Sequence, residues 1–213
     1  MFLKALRSRR ALTLRHSLRE LAPLAPIEVV SPTELRTARM TLRPLRPADR
    51  GEYLRVVRAS RAHLTAWIPL NDPGESDDAF FDRQLAAALD GDKTGACWRR
   101  VGVLDDASIV GAFHLNAISR GLNWWADATW WIAAAWTRHG LATEGVGAML
   151  GYAMSDPPRG LGLRCIHAGV DPRNAPSRRL VEKLGFTHDP SQASHLKVGD
   201  AWRHHEFYVK SAA

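Results

Sequence analysis

Residues 130–144 read Trp130-Trp131-Ile132-Ala133-Ala134-Ala135-Trp136-Thr137-Arg138-His139-Gly140-Leu141-Ala142-Thr143-Glu144. A strand ends, a short loop turns, and a helix begins at a glycine. Such a junction aims the unpaired N–H groups of the first helical turn outward, where the helix dipole adds about 0.3 to 2 kcal/mol for a bound anion. The stretch lacks the lysine-terminated GxxxxGK[ST] of nucleotide hydrolases and the GxGxxG of dinucleotide binders, so neither ATP nor NAD is its natural guest. Taken alone, it is either a phosphate cradle or an ordinary strand-to-helix turn in which Gly140 supplies backbone freedom.

The flanks extend the pattern. Downstream, Leu141, Gly145, Ala148, Met149 and Tyr152 recur at helical spacing until Asp156-Pro157-Pro158 stops the run. A strand over residues 163–170 is followed by Asp171-Pro172-Arg173-Asn174, which opens a helix with Pro176 in its first turn and Gly185 as its stop. Two last strands flank Gly199-Asp200. Upstream, residues 97–104, 109–118 and 126–134 form a three-stranded meander, the first turn at Asp105-Asp106. Alternation in its middle strand predicts Ile109, Gly111, Phe113 and Leu115 on one face, and Val110, Ala112, His114, Asn116 and Ile118 on the other. Earlier still come a strand over residues 40–45, a helix from Pro47 to about residue 62, and a second helix over residues 77–89 closed by Asp90-Gly91. This order of elements requires a mixed sheet, mostly antiparallel with at least one parallel pair, in an α/β (α+β) fold.

With 213 residues, 46% apolar and 24% charged, the chain can bury a sizeable core, which argues against intrinsic disorder or a disulfide-stapled mini-fold. No apolar run approaches the roughly 20 residues of a membrane span, so no membrane role and a cytoplasmic location are expected. Cys97 and Cys165 have no metal-ligand spacing and read as free thiols of a reducing compartment; no metal is expected. The net charge of +7 is concentrated early: residues 1–30 carry six basic and two acidic side chains. They read as a basic N-terminal arm, either a poorly ordered tail or a contact for ribosomal RNA or a partner, ahead of one domain over residues 31–213.

The sequence resembles the GNAT N-acetyltransferases, and among them the RimJ/RimL-type enzymes that acetylate ribosomal-protein N-termini. The resemblance spans residues 35–210. Its marks are Thr37-Ala38-Arg39-Met40-Thr41-Leu42-Arg43-Pro44-Leu45, Ile109-Val110-Gly111, the Trp136 to Glu144 turn, Asn174-Ala175-Pro176-Ser177, Lys183-Leu184-Gly185-Phe186 and Gly199-Asp200-Ala201-Trp202. Gly140 and Ala142 match the family's turn, whereas Thr137 stands where the family has Gln or Arg. The resemblance implies a GNAT fold of about seven strands flanked by helices, with a splayed parallel pair at the cofactor site and acetyl-CoA as cosubstrate. It further implies that the backbone of Arg138, His139, Gly140, Leu141, Ala142 and Thr143 holds the pyrophosphate. Trp131, Ile132 and Ala133 would bond the pantetheine arm through their backbone. Asn174 would contact that arm, or cap its helix, or do both. Ser177 would give a proton to the departing sulfur.

No carboxylate matches the family's base near Ser194, although His195 lies beside it. His114, His195 and Glu144 are the candidate bases, each with an ordinary structural role as the alternative. Asn116, beside His114 on its strand face, and Trp67, matching a loop that borders the acceptor groove, are candidate substrate contacts. Trp124-Trp125 and Trp130-Trp131 should each send one ring to the core and one to the cleft. Neither cysteine is activated and no Ser-His-Asp set is visible, so direct attack in a ternary complex is expected. The acceptor is read as a protein N-terminal α-amine. Rivals are a small amine such as an antibiotic or polyamine, which the acidic loop Asp72, Glu75, Asp77 and Asp78 would suit, and a non-catalytic RNA- or ribosome-binding module. Either a monomer or a homodimer is compatible with the sequence.

Overall fold

The computed structural model describes residues 34–72, 74–198 and 201–212; the basic arm and the Gly199-Asp200 turn lie outside them. Two short strands, β1 (Leu35–Arg36) and β2 (Thr41–Arg43), lead through a 3-10 turn at Pro47–Asp49 into α1 (Arg50–Leu64) and α2 (Asp77–Thr94). The meander is β3 (Trp98–Val103), β4 (Ile109–Ser119) and β5 (Trp125–Ile132). Then come α3 (Leu141–Met154), β6 (Cys165–Val170), α4 (Ala175–Lys183), β7 (Thr187–Val198) and β8 (Ala201–Ser211). The strands form one sheet in the order β1-β2-β3-β4-β5-β6-β8-β7. The eighth strand is β1, whose two residues pair with Leu42 and Thr41 and are too few to show a period in the sequence.

Each sheet face carries its own core. One face packs Phe113, Leu115, Ala126, Ala128 and Ile166 with Val146 and Met149 of α3 and Val181 of α4. The opposite face packs Val101, Ala112 and Ala133 with Tyr53 and Val57 of α1 and Phe80 and Phe81 of α2. Large apolar side chains buried in this way each contribute about 1.5–3 kcal/mol relative to exposure. The second core covers only the β2–β5 half of its face.

Two local expectations are corrected. α2 does not stop at Asp90-Gly91 but continues to Thr94, where Gly95 takes the left-handed cap at φ +71°. Gly91 serves close approach instead: a Cβ there would lie 2.2 Å from Cys97 Sγ. In β4 the alternation breaks at its start, because Val103 pairs with Ile109 while Gly102 pairs with Gly111. The extra residue moves Val110 to the Phe113 face and leaves Ile109 with Ala112 on the other. His114 and Asn116 keep their common face, since their cross-strand partners are Thr129 and Asp127.

Candidate active site

The site begins at the end of β5. After Ile132, a 3-10 turn at Ala134–Trp136 is pinned by the Ala134 N–H, which donates to the buried Ser60 hydroxyl at 3.0 Å. Arg138 (φ 64°) and Gly140 (φ 79°) then adopt left-handed backbone, a double reversal that throws the chain into α3. At Gly140 the cost is small for glycine and about 1–2 kcal/mol for most other residues. Glu144 N–H is the first to bond back, to Gly140 O at 3.1 Å. The N–H groups of residues 138–143 make no hydrogen bond to any described residue and converge at the positive end of α3.

Next to this turn the sheet opens. β5 and β6 pair in parallel only through Trp125↔Cys165, Ala126↔Ile166 and Asp127↔His167. Beyond that point residues 128–132 pair with β4 alone, and residues 168–170 with β8 alone. A wedge therefore runs from Asp127 and His167 at its apex to Ile132 and Val170 at its mouth. The mouth is flanked by the turn before α3 on one side and the start of α4 on the other. Ala133 N–H donates to Val110 O at 2.9 Å and so points to β4. In an antiparallel ladder the direction alternates, so Trp131 also faces β4, while Ile132, Trp130 and Ala128 turn their backbone groups into the wedge. Of the three residues expected to meet a pantetheine arm through their backbone, only Ile132 is placed to do so.

At the other side of the mouth, Asn174 Oδ1 accepts the Ser177 N–H at 3.1 Å and caps α4. Its amide nitrogen and the half-buried Ser177 hydroxyl make no hydrogen bond to a described residue.

Residues 39–187 match the family model described as an acetyltransferase (GNAT) domain. The chain belongs to the GNAT acetyltransferase family. A probable N-acetyltransferase, YjcK of Bacillus subtilis, is 32% identical over 101 residues, 47% of this chain and 54% of that protein, so the match spans about half of the relative's length. Among solved structures, Mycobacterium smegmatis RimJ in complex with CoA-disulfide shares 25% identity at a TM-score of 0.72, covering 81% of this chain and 82% of that one. The ribosomal-protein-S5-alanine acetyltransferase of Vibrio fischeri shares the fold at a TM-score of 0.73 with 18% identity, over 84% of this chain and 96% of that one.

Within this GNAT domain the three expected bases fare poorly. Glu144 is tied up: its carboxylate accepts from Thr37 Oγ1 at 2.6 Å, Arg39 N at 2.8 Å and Arg39 Nε at 2.7 Å. Burial alone would raise its pKa, but these bonds outweigh it and the carboxyl titrates below its ordinary value. Glu144 thus locks the β1–β2 loop to α3, and Arg39 Nη1 also donates to His139 O at 2.8 Å, bracing the turn. His114 lies beneath α1 and α2 beside Tyr53, Gln84 and Arg99, in a cavity of about 10 Å³. Burial, helped by the charges of Arg99 and Arg100, lowers its pKa to about 3. It is neutral at physiological pH and too weak a base for an ammonium. His195 sits on the edge strand, its ring 5.5 Å from that of His204 and two strands away from β6.

The half of the α1/α2 face that the second core leaves uncovered, beside β6 and β8, is the trough where the candidate acceptor contacts are expected. Asn116 accepts from Arg99 Nη2 at 2.9 Å and donates to Thr129 Oγ1 at 3.0 Å, so its side chain is engaged within the sheet. Trp67 is half-buried in the α1–α2 loop, next to Ala66, whose carbonyl accepts from Arg203 of β8. That contact ties the α1–α2 loop to β8. The tryptophan pairs divide between faces: Trp131 meets Tyr53 at 6.0 Å and Trp125 stacks on His167 at 5.2 Å, while Trp130 and Trp124 pack toward α3 and α4. The acidic loop offers little to a cation, because its charges are answered internally. Arg58 and Arg61 hold Asp77, Arg83 holds Glu75 and lies 3.7 Å from Asp72, and Arg50 holds Asp78.

Two residues at the wedge apex were given no role from sequence. Asp127 and His167 face the trough, with Oδ1 and Nδ1 3.9 Å apart. The available signal was alternation alone, which puts Asp127 on the same face as Thr129 and Trp131.

Proposed function

We propose that this chain transfers acetyl from acetyl-CoA to a primary amine, the α-amine of a protein N-terminus, by direct attack in a ternary complex. The observation that carries this reading is the wedge between β5 and β6, open toward the starts of α3 and α4. Its mouth suits a pyrophosphate: six N–H groups lack a partner among the described residues, and an added Cβ at Gly140 would meet nothing nearer than Arg39 Nη2 at 3.4 Å, so the cradle is open. Arg39, its charge answered by Glu144, braces the turn through its bond to His139 O. The donor supplies an activated thioester. Ile132 and Trp130 offer backbone donors along the wedge, one of which can polarise the carbonyl. Asn174 steadies the arm, and Ser177 Oγ is free to protonate the departing sulfur.

The acceptor reading rests on the trough, the part of the sheet face beside the wedge that the second core leaves uncovered, which leaves room for an extended chain end. With the acidic loop spent on its own arginines, the feature that would have favoured a cationic small amine is removed. A free N-terminus has a pKa near 8 against about 10.4 for lysine, so delivering the neutral nucleophile costs lysine roughly 3 kcal/mol more at neutral pH. The likeness to RimJ at 25% identity agrees with the RimJ/RimL-type resemblance of the sequence, which implies an N-terminal acceptor. The basic residues 1–30, which lie outside the described residues, fit contact with ribosomal RNA or an acidic partner in the cytoplasm.

The test is acetyl-CoA-dependent release of CoA with peptides beginning Ala, Ser or Met, against N-blocked lysine peptides and a panel of small amines. Turnover confined to free peptide N-termini is expected. Turnover only with small amines would overturn the acceptor, and absence of both turnover and acetyl-CoA binding would overturn the activity.

A further inference from the structure

The wedge has one accessible side at its apex. The face toward α3 and α4 is filled by Ala126, Ala128, Ile166 and Ala168, all buried. An amine reaching a thioester in the wedge therefore arrives from the trough, past Asp127 and His167. Two described carboxylates, Asp127 and Asp189, lie on that face of β5 to β8 and a third, Asp171, directly follows β6; two of the three are spent. Asp171 is held by Arg173 through its backbone N–H and guanidinium, and Asp189 accepts from Ser191 and Gln192. Asp127 accepts no hydrogen bond from a described residue, and its side chain is 42% exposed.

We propose that Asp127 is the general base of this enzyme, taking the proton from the acceptor's ammonium group, and that His167 positions it. The inference rests on the acetyl-transfer reading above. In the step, the Asp127 carboxylate takes one N–H proton, and the freed lone pair attacks the thioester carbonyl carbon. The C–N bond forms, and the C–S bond then breaks. The sulfur takes a proton from Ser177 Oγ, which recovers one from the nitrogen through solvent, and Asp127 releases its own proton to the trough. His167 is held on three sides: Trp125 stacks on its ring, Cys165 Sγ lies 3.2 Å from Nε2, and Asp127 lies beyond Nδ1. The other groups around this pair are Asn116, paired with Asp127 across β4 and bonded to Arg99 and Thr129, and Asp189, whose carboxylate feels the His167 charge. Burial raises the Asp127 pKa, opposed in part by His167, a change that makes the carboxylate a stronger base.

The experiment compares wild type, Asp127→Asn, Asp127→Glu and His167→Gln by kcat against pH with an N-terminal peptide, and by calorimetric CoA affinity. Asp127→Asn should lower kcat by about 100-fold or more while CoA affinity stays within twofold, which also reports an intact fold. Asp127→Glu should recover part of the rate. His167→Gln removes the group that opposes the effect of burial on Asp127, so the acid limb of the profile should move to higher pH. A kcat for Asp127→Asn within threefold of wild type, or an unchanged acid limb in that variant, overturns Asp127 as base and leaves the enzyme reading standing. A wild-type protein that neither binds CoA nor turns over sinks that reading first.

Discussion

His114 gives a sharp test of how the α1/α2 core is built. Its pKa falls from 6.5 to about 3 in the folded protein through burial and the Arg99 and Arg100 charges. Below pH 6.5 the unfolded chain binds a proton that the folded chain refuses, so the stability is fully present above that pH and is lost as the pH falls. The loss is about 1.4 kcal/mol per pH unit, or about 2 to 3 kcal/mol between about pH 6.5 and about pH 4.5. For a chain of this size that corresponds to about 5–10 °C in Tm. His114→Gln keeps a polar group but removes the titration. Urea unfolding of both proteins at about pH 8 and about pH 4.5 should show the variant losing about 2 kcal/mol less than wild type over the interval. Equal losses would mean that His114 protonates freely in the fold and that its exclusion as a base fails.

Other outcomes follow from the same geometry. Gly140→Ala forces a side chain into left-handed backbone at about 1–2 kcal/mol, and relaxation of the turn should weaken CoA binding about 10-fold or more by calorimetry. Unchanged affinity would remove the turn from the cradle. Ser177→Ala should lower kcat with little change in CoA affinity, and a wild-type kcat would reduce Ser177 to a first-turn residue. At Gly145 a Cβ would lie 2.3 Å from the Phe113 ring, so Gly145→Ala should cost about 1–2 kcal/mol in urea unfolding despite a better helix propensity. Below about pH 4.5 a second acid loss should begin, as Glu144 and Asp171, both held below their ordinary values by Thr37 and Arg39 or by Arg173, become protonated; the Asp171 pKa is about 2.

Much of the frame is legible in local sequence because its determinants are local. The meander shows in alternation, α4 in Asn174 and Pro176, and the turn before α3 in Gly140 following an apolar strand. The misread places share one cause: a glycine or an alternation can answer a distant neighbour. Gly91 looks like a stop but makes room for Cys97, and Val110 changes face because β3 pairs out of step.

The sequence by itself carried the resemblance to the family in its motifs, and it determined the order of elements and the turn that can cradle a phosphate, since those two are written in spacing along the chain. Tertiary structure decided which polar groups remain free to act. Glu144 is committed to Thr37, 107 residues away, and Asn116 to Arg99. The acidic loop is committed to arginines of α1 and α2, whereas Asp127, where β5 and β6 part, accepts no hydrogen bond from a described residue. A carboxylate's chemistry depends on what reaches it in space, and strand register and helix packing set that.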